Sequence, residues 1–190
     1  VNGHLFGAHN IHTAEDVHGA ELTIVLGCNP WMANGFVRAR DAMSAIGKDP
    51  GRRMIVIDPR RTEVADLADL HLAVRPGTDA FLLGALLSMI VARGGQDNAF
   101  LADRTTGWDE VRAELEKVPV EEWLAAADIT RDQAEAAVSM IIEAASMTVR
   151  VDVGVQQSRN STLNAYLEKL LFLVTGNFLR PGCNGLHTWL

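Results

Sequence analysis

The sequence predicts an α/β fold, an open and mainly parallel sheet with helices on both faces. Three observations carry that expectation. Glu21 to Gly27, Arg53 to Ile57 and Met147 to Val153 contain short apolar runs rich in branched residues, the pattern of strands covered on both sides. Stretches with apolar residues at helical spacing lie between them. Each run also ends in a glycine-containing or acidic turn, and the carboxyl edge of such a sheet is where ligands sit.

Taken in order, residues 1–20 read as a polar, irregular lead-in holding four of the six histidines, His4, His9, His12 and His18. His9 and His12 suit one helical face, but no spacing matches a known metal cage. Thr13 with Asp16 three residues later reads as the cap of a short helix. The first sheet strand, Glu21 to Gly27, passes through Cys28-Asn29-Pro30 into a helix expected from about Asn34 to Ile46, ended by Gly47. Arg53 to Ile57 completes a strand–helix–strand unit. Thr62 to Ala68 reads as a short helix capped by Thr62. Leu70 to Val74 reads as a strand, and Arg75-Pro76-Gly77-Thr78-Asp79 leads to a helix carrying Leu82, Leu83, Leu86, Leu87, Ile90 and Val91. Gly94-Gly95 stops it. Short helices follow from Asn98 to Ala127, with Trp108, Leu115 and Trp123. Thr130 to Gln133 is a capping box for a helix over Ala134 to Ala145. The third clear strand, Met147 to Val153, ends in Gly154, and a helix from about Ser161 to Thr175 runs into the turn Gly176 to Gly182.

Composition narrows the function. A chain of 190 residues, 48% hydrophobic and 22% charged, suits one globular domain. A net charge of -7 argues against a nucleic-acid partner, which needs clustered cations. No apolar run reaches the roughly 18 residues of a membrane span. Cys28 and Cys183 are far apart, so no zinc, iron–sulfur or disulfide framework is expected within the chain, and a reducing, cytoplasmic setting is. A first residue of Val1 and an apolar end at Leu190 read as a domain excised from a longer protein.

The turns carry the chemistry. Asp58 either accepts hydrogen bonds from ribose hydroxyls or forms an Asp-Pro turn with Pro59. Arg60 and Arg61 suit phosphate through their planar forks, or are solvated. Asp79 can accept from the N1–H and the exocyclic amine of guanine together, an arrangement adenine does not offer, or it caps the following helix with Thr78. Gly77 lets a ligand approach the backbone. Gly154, Gln156 and Gln157 offer amide groups to a polar heterocycle, or form an exposed strand exit. Cys28 reads as a buried structural thiol ahead of a reactive one. The chain has no GxGxxG, no phosphate-binding GxxxxGK[ST] and no GxSxG.

Together these stretches resemble the molybdopterin oxidoreductase family of formate dehydrogenases, nitrate reductases and dimethyl sulfoxide reductases. The matching segments are Gly27 to Pro30, Val56 to Glu63 with Ala65 and Asp69, Val74 to Ala80, Gly154 to Gln157, and Thr175 to Gly182. The resemblance implies one Rossmann-like domain over residues 1–190, holding one molybdopterin guanine dinucleotide of a bis-MGD centre with molybdenum or tungsten. It implies Asn29 near the phosphates, Asp58 near the ribose, Asp79 on the guanine, and Gly154, Val155, Gln156 and Gln157 toward the pterin. Gly27, Cys28, Pro59, Arg60, Thr62, Pro76, Gly77 and Thr78 complete the expected cofactor-binding set. No catalytic residue or metal ligand is expected in this chain. The metal ligand and an iron–sulfur cluster would lie elsewhere in the parent enzyme, whose partners would be its remaining domains, a small-molecule substrate and an electron-transfer subunit. The alternative is a structural domain of a respiratory NADH–quinone oxidoreductase large subunit without the molybdenum cofactor. A nicotinamide dehydrogenase is disfavoured by the missing glycine fingerprint.

Overall fold

The computed structural model describes residues 1–8, 11–33 and 35–188. His9, Asn34 and the expected apolar end at Trp189-Leu190 lie outside the described residues. A four-stranded sheet forms the centre, built from β2 (Leu22–Leu26), β3 (Arg53–Ile57), β4 (Leu70–Leu72) and β5 (Met147–Val151). Its order is β4-β3-β2-β5 and every neighbouring pair is parallel, so β2 lies inside the sheet and all five of its residues are buried.

Alternate side chains of β2 and β3 feed two separate cores. Leu22, Ile24, Leu26, Ile55 and Ile57 pack against α3 (Asp79–Ala92), α7 (Arg131–Glu143) and α9 (Ser161–Val174). Val25, Met54 and Val56 pack on the other face against α2 (Ala39–Ile46) and the Val64-Ala65 turn. Helices therefore cover both faces. α3 is buried along nearly its whole length, including Leu82, Leu83, Leu86 and Leu87; each fully buried leucine contributes about 1.5–3 kcal/mol. After α4 (Asn98–Arg104), α5 (Trp108–Leu115) and α6 (Val120–Ala127) pack against α3, and the Thr130–Gln133 capping box opens α7 as expected.

The outer edge of β5 is closed by side chains in place of another strand. Asn184 accepts from the Val149 amide at 2.8 Å and donates to the Val149 carbonyl at 3.1 Å, while Asn177 accepts from the Met147 amide at 2.9 Å. An edge strand blocked in this way does not recruit another chain.

Several expectations need correction. Residues 1–20 are not wholly irregular, because they contain α1 (Asn2–Phe6) and β1 (Ile11–Glu15). β1 pairs antiparallel with β6 (Asn184–Thr188) in a ribbon. Thr13 lies within β1 and caps nothing; Asp16 instead accepts from the Gly19 and Gly182 amides, stapling the two chain ends together. α2 starts at Ala39, not near Asn34, since Arg38 takes a left-handed conformation at φ 58°. Thr62 to Ala68 forms successive turns, with the Thr62 hydroxyl accepting from the Ala65 amide, and does not continue as a helix. β4 ends at Leu72 and β5 at Val151. Asp152 stops β5 by accepting from Val153 N–H, which starts the short α8 (Val153–Gln156).

Candidate functional site at the carboxyl edge

Numbered by sequence, the four sheet strands lie in the order 3-2-1-4. Strand order breaks between β2 and β5, and ligands of open parallel sheets bind outside the carboxyl ends at such a break. The two loops leaving it touch. Gly154 N–H donates to Gly27 carbonyl at 3.1 Å, and a Cβ on Gly154 would come within 2.4 Å of that oxygen. Gly27, at φ 59°, has equally little room: a Cβ there would lie 2.3 Å from Val155 Cγ2. Only two glycines allow the loops to cross so closely.

From this crossing the first loop carries Cys28 and Asn29. Cys28 is buried beside the Arg150 carbonyl, and burial pushes its thiol up to about 12, which supports a structural role. Asn29 donates to Glu63 at 2.7 Å and accepts from the Trp31 amide. Glu63 is exposed and holds its proton less readily than an ordinary glutamate, because its own backbone amide and then Asn29 stabilise the charge.

Asp58 follows β3. Its Oδ1 accepts from Arg60 N–H at 2.8 Å, so the carboxylate does form the turn, with Pro59 and Arg60 exposed beyond it. Arg61 is ion-paired with Asp66 on the surface. Thr62 is buried. The next loop, Arg75 to Thr78, turns through Gly77 at φ 80°, where a Cβ would meet nothing within 4 Å. The Thr78 hydroxyl donates to the Arg75 carbonyl at 2.6 Å and makes no cap bond, so neither Thr78 nor Asp79 is a side-chain cap. Asp79 opens α3 and is only 6% exposed. Burial raises its pKa, its own amide opposes the rise, and the nearby Asp58 charge adds to it. A buried carboxylate in that condition takes hydrogen-bond donors readily.

Gly154, Gln156 and Gln157 are exposed around buried Val155, whose carbonyl accepts from Ser158 and Asn164. The Gly27 and Gly154 loops therefore meet directly, and Asp58 and Asp79 interact electrostatically one strand further along. Sequence reasoning passed over Arg150, Asp152 and Glu15, which form an ion-pair chain at the break. The local signal is an arginine between Val149 and Val151 in a mainly apolar strand.

Among the described residues no group of acids, histidines and cysteines suits a metal ion, and no helix is long and apolar enough to cross a membrane. Two clefts of about 640 and 530 Å³ lie around Trp108, Tyr166 and Trp123, away from the carboxyl edge. The loop chemistry described above is not there.

The fold and its edge define an open parallel α/β domain of Rossmann-like order. Acetylene hydratase from Pelobacter acetylenicus shares that fold, with a TM-score of 0.79, 21% identity, and coverage of 91% of this chain and 23% of the other. No family model matches. The alpha subunit of F420-dependent formate dehydrogenase 2 from Methanococcus maripaludis is 30% identical over 181 residues, covering 95% of this chain and 26% of the relative. Formate dehydrogenase H of Escherichia coli is 30% identical over 87% of the chain and 23% of its own length. A nitrate reductase of Klebsiella oxytoca is 32% identical over 89% of the chain and 19% of its own length. The chain's homologues are thus formate dehydrogenases and nitrate reductases, and it spans about a quarter of the length of these formate dehydrogenases.

Proposed function

We propose that residues 1–190 form one domain of a longer molybdenum- or tungsten-dependent oxidoreductase and hold a molybdopterin guanine dinucleotide, one of a bis-MGD pair. The observation that carries this reading is Asp79, a carboxylate 94% buried at the ligand edge beside a second carboxylate, Asp58. Guanine offers two adjacent donors to such a group. The room in front of Gly77 also fits a ligand lying close along the backbone.

The cofactor would supply two-electron redox chemistry at its metal, and this chain would supply binding and orientation. Asp79 would accept from the guanine, Asp58 from the ribose, Asn29 and Arg60 would meet the phosphates, and Gly154 to Gln157 would line the pterin end. Substrate, iron–sulfur cluster and electron-transfer partner would belong to the remainder of the protein. The two free, buried cysteines suit a cytoplasmic setting. The test is to purify the full-length protein and measure its molybdenum and tungsten together with the guanine nucleotide released on denaturation. Metal and guanine nucleotide in comparable amounts are expected; absence of both overturns the reading.

A further inference from the structure

Arg150 is a charged residue next to the carboxyl end of β5, in register with Val25 and therefore on the α2 side of the sheet. Its side chain is 15% exposed. One guanidinium nitrogen meets Glu15 of β1 at 2.7 Å and another meets Asp152 at 2.9 Å. The other oxygen of Asp152 accepts from Val153 N–H at 2.8 Å, and that bond starts the α8 turn carrying Gly154 to Gln156. On its far side the guanidinium lies 5.8 Å from the Phe36 ring centre, and a Cβ on Gly35 would come 2.1 Å from Nη2. The first loop therefore returns directly over the arginine. A single side chain touches both loops of the strand-order break and the β1–β6 ribbon.

We propose that Arg150 is a positioning residue that holds Gly35-Phe36 of the first loop against the Asp152–Gln157 turn, and thereby sets how firmly the dinucleotide is retained. This rests on the cofactor reading given above. Arg150 is one cation between two partly buried carboxylates, so removing it leaves Glu15 and Asp152 without compensation and the α8 turn without its anchor. Its Nε is buried with no hydrogen-bond partner among the described residues. The two ion pairs and the packing of Gly35 thus hold the side chain in place, at the expense of one donor. Other arginine pairs, such as Arg131 with Glu121 and Arg112 with Glu116, are about half-exposed surface contacts and join no ligand loops.

The test uses full-length protein purified with its cofactor, carrying Arg150→Met, Arg150→Lys, Asp152→Asn, or Arg150→Met with Asp152→Asn. The rate of guanine nucleotide loss after dilution is read beside the melting temperature of the cofactor-free protein. Arg150→Met is expected to lose nucleotide about tenfold faster, with Asp152→Asn adding little in that background because both act through one contact. Arg150→Lys should restore part of the retention. Unchanged loss from Arg150→Met, or additive losses that merely follow melting temperature, overturns the proposal. Should Arg150→Met fail to fold, wild-type rates in both Arg150→Lys and Asp152→Asn overturn it equally. Wild-type protein lacking guanine nucleotide would overturn the cofactor reading and this inference together. A loaded wild type with an equally firm Arg150→Met defeats the inference alone.

Discussion

Replacing Asp79 by asparagine separates what this carboxylate does for the fold from what it does for a ligand. In the cofactor-free domain Asp79 is 6% exposed, and burial raises its pKa above 3.8 despite the opposing hydrogen bond from its own amide. A carboxyl whose folded pKa is raised contributes stability that is fully present below 3.8 and is lost as pH rises through the folded value. D79N does not ionise. Its stability relative to wild type should therefore improve as pH rises above about 4 and level off once wild-type Asp79 has ionised, measured by urea unfolding of cofactor-free protein. The ligand should respond in the opposite direction. An amide presents one oxygen and an NH₂ to two guanine donors, so a charge-assisted bond worth about 1.5–3 kcal/mol is lost, about ten- to hundredfold in nucleotide retention. A D79N protein less stable than wild type at neutral pH would show that the charge at the start of α3 stabilises the helix more than burial penalises it. The helix-dipole contribution that would have to win is about 0.3–1 kcal/mol. Unchanged retention would reject the guanine contact itself.

Three further outcomes follow from single contacts. Gly154→Ala forces a Cβ against the Gly27 carbonyl, 2.4 Å away, and should destabilise the chain by about 1–3 kcal/mol in denaturant titration; wild-type stability would mean that the loops are not tightly crossed. Cys28, with its thiol pushed from 9.0 to about 12, should resist iodoacetamide at pH 8 until the protein unfolds, and labelling at the rate of a free thiol would contradict its burial. Because that folded value is raised, its contribution to stability is complete below pH 9 and declines as pH approaches 12. Thr130→Ala removes the side-chain half of the α7 capping box and should cost about 1 kcal/mol in thermal unfolding; no change would mean that α7 is held by packing alone.

How much of this was legible follows from how far each contact reaches along the chain. β2 and β3 were readable because both of their faces are covered, which forces four of the five residues in each toward apolar, often branched types. The capping box of α7 spans three residues and was likewise readable. Helix limits set by one backbone dihedral, such as the delay of α2 to Ala39 behind left-handed Arg38, leave no mark in apolar spacing. The β1–β6 ribbon was hidden because it joins residues 11–15 to 184–188, and β1 has no fully buried residue to impose a pattern.

The same distinction runs through the site. Asp58 and Asp79 could be singled out because each ends a short strand–turn segment with its own local chemistry. What the segments do not contain is their meeting. Gly27 faces Gly154 only because β2 lies beside β5, and Arg150 finds Glu15 across 135 residues. Yet a long-range partner can leave a local trace. An arginine between two valines in a strand covered on its α2 side is unfavourable unless a carboxylate meets it, and Asp152, two residues on and on the same side, is half of that answer. The other half must come from elsewhere in the fold, which makes a buried charge within an apolar strand a prediction that some distant acid is brought to it.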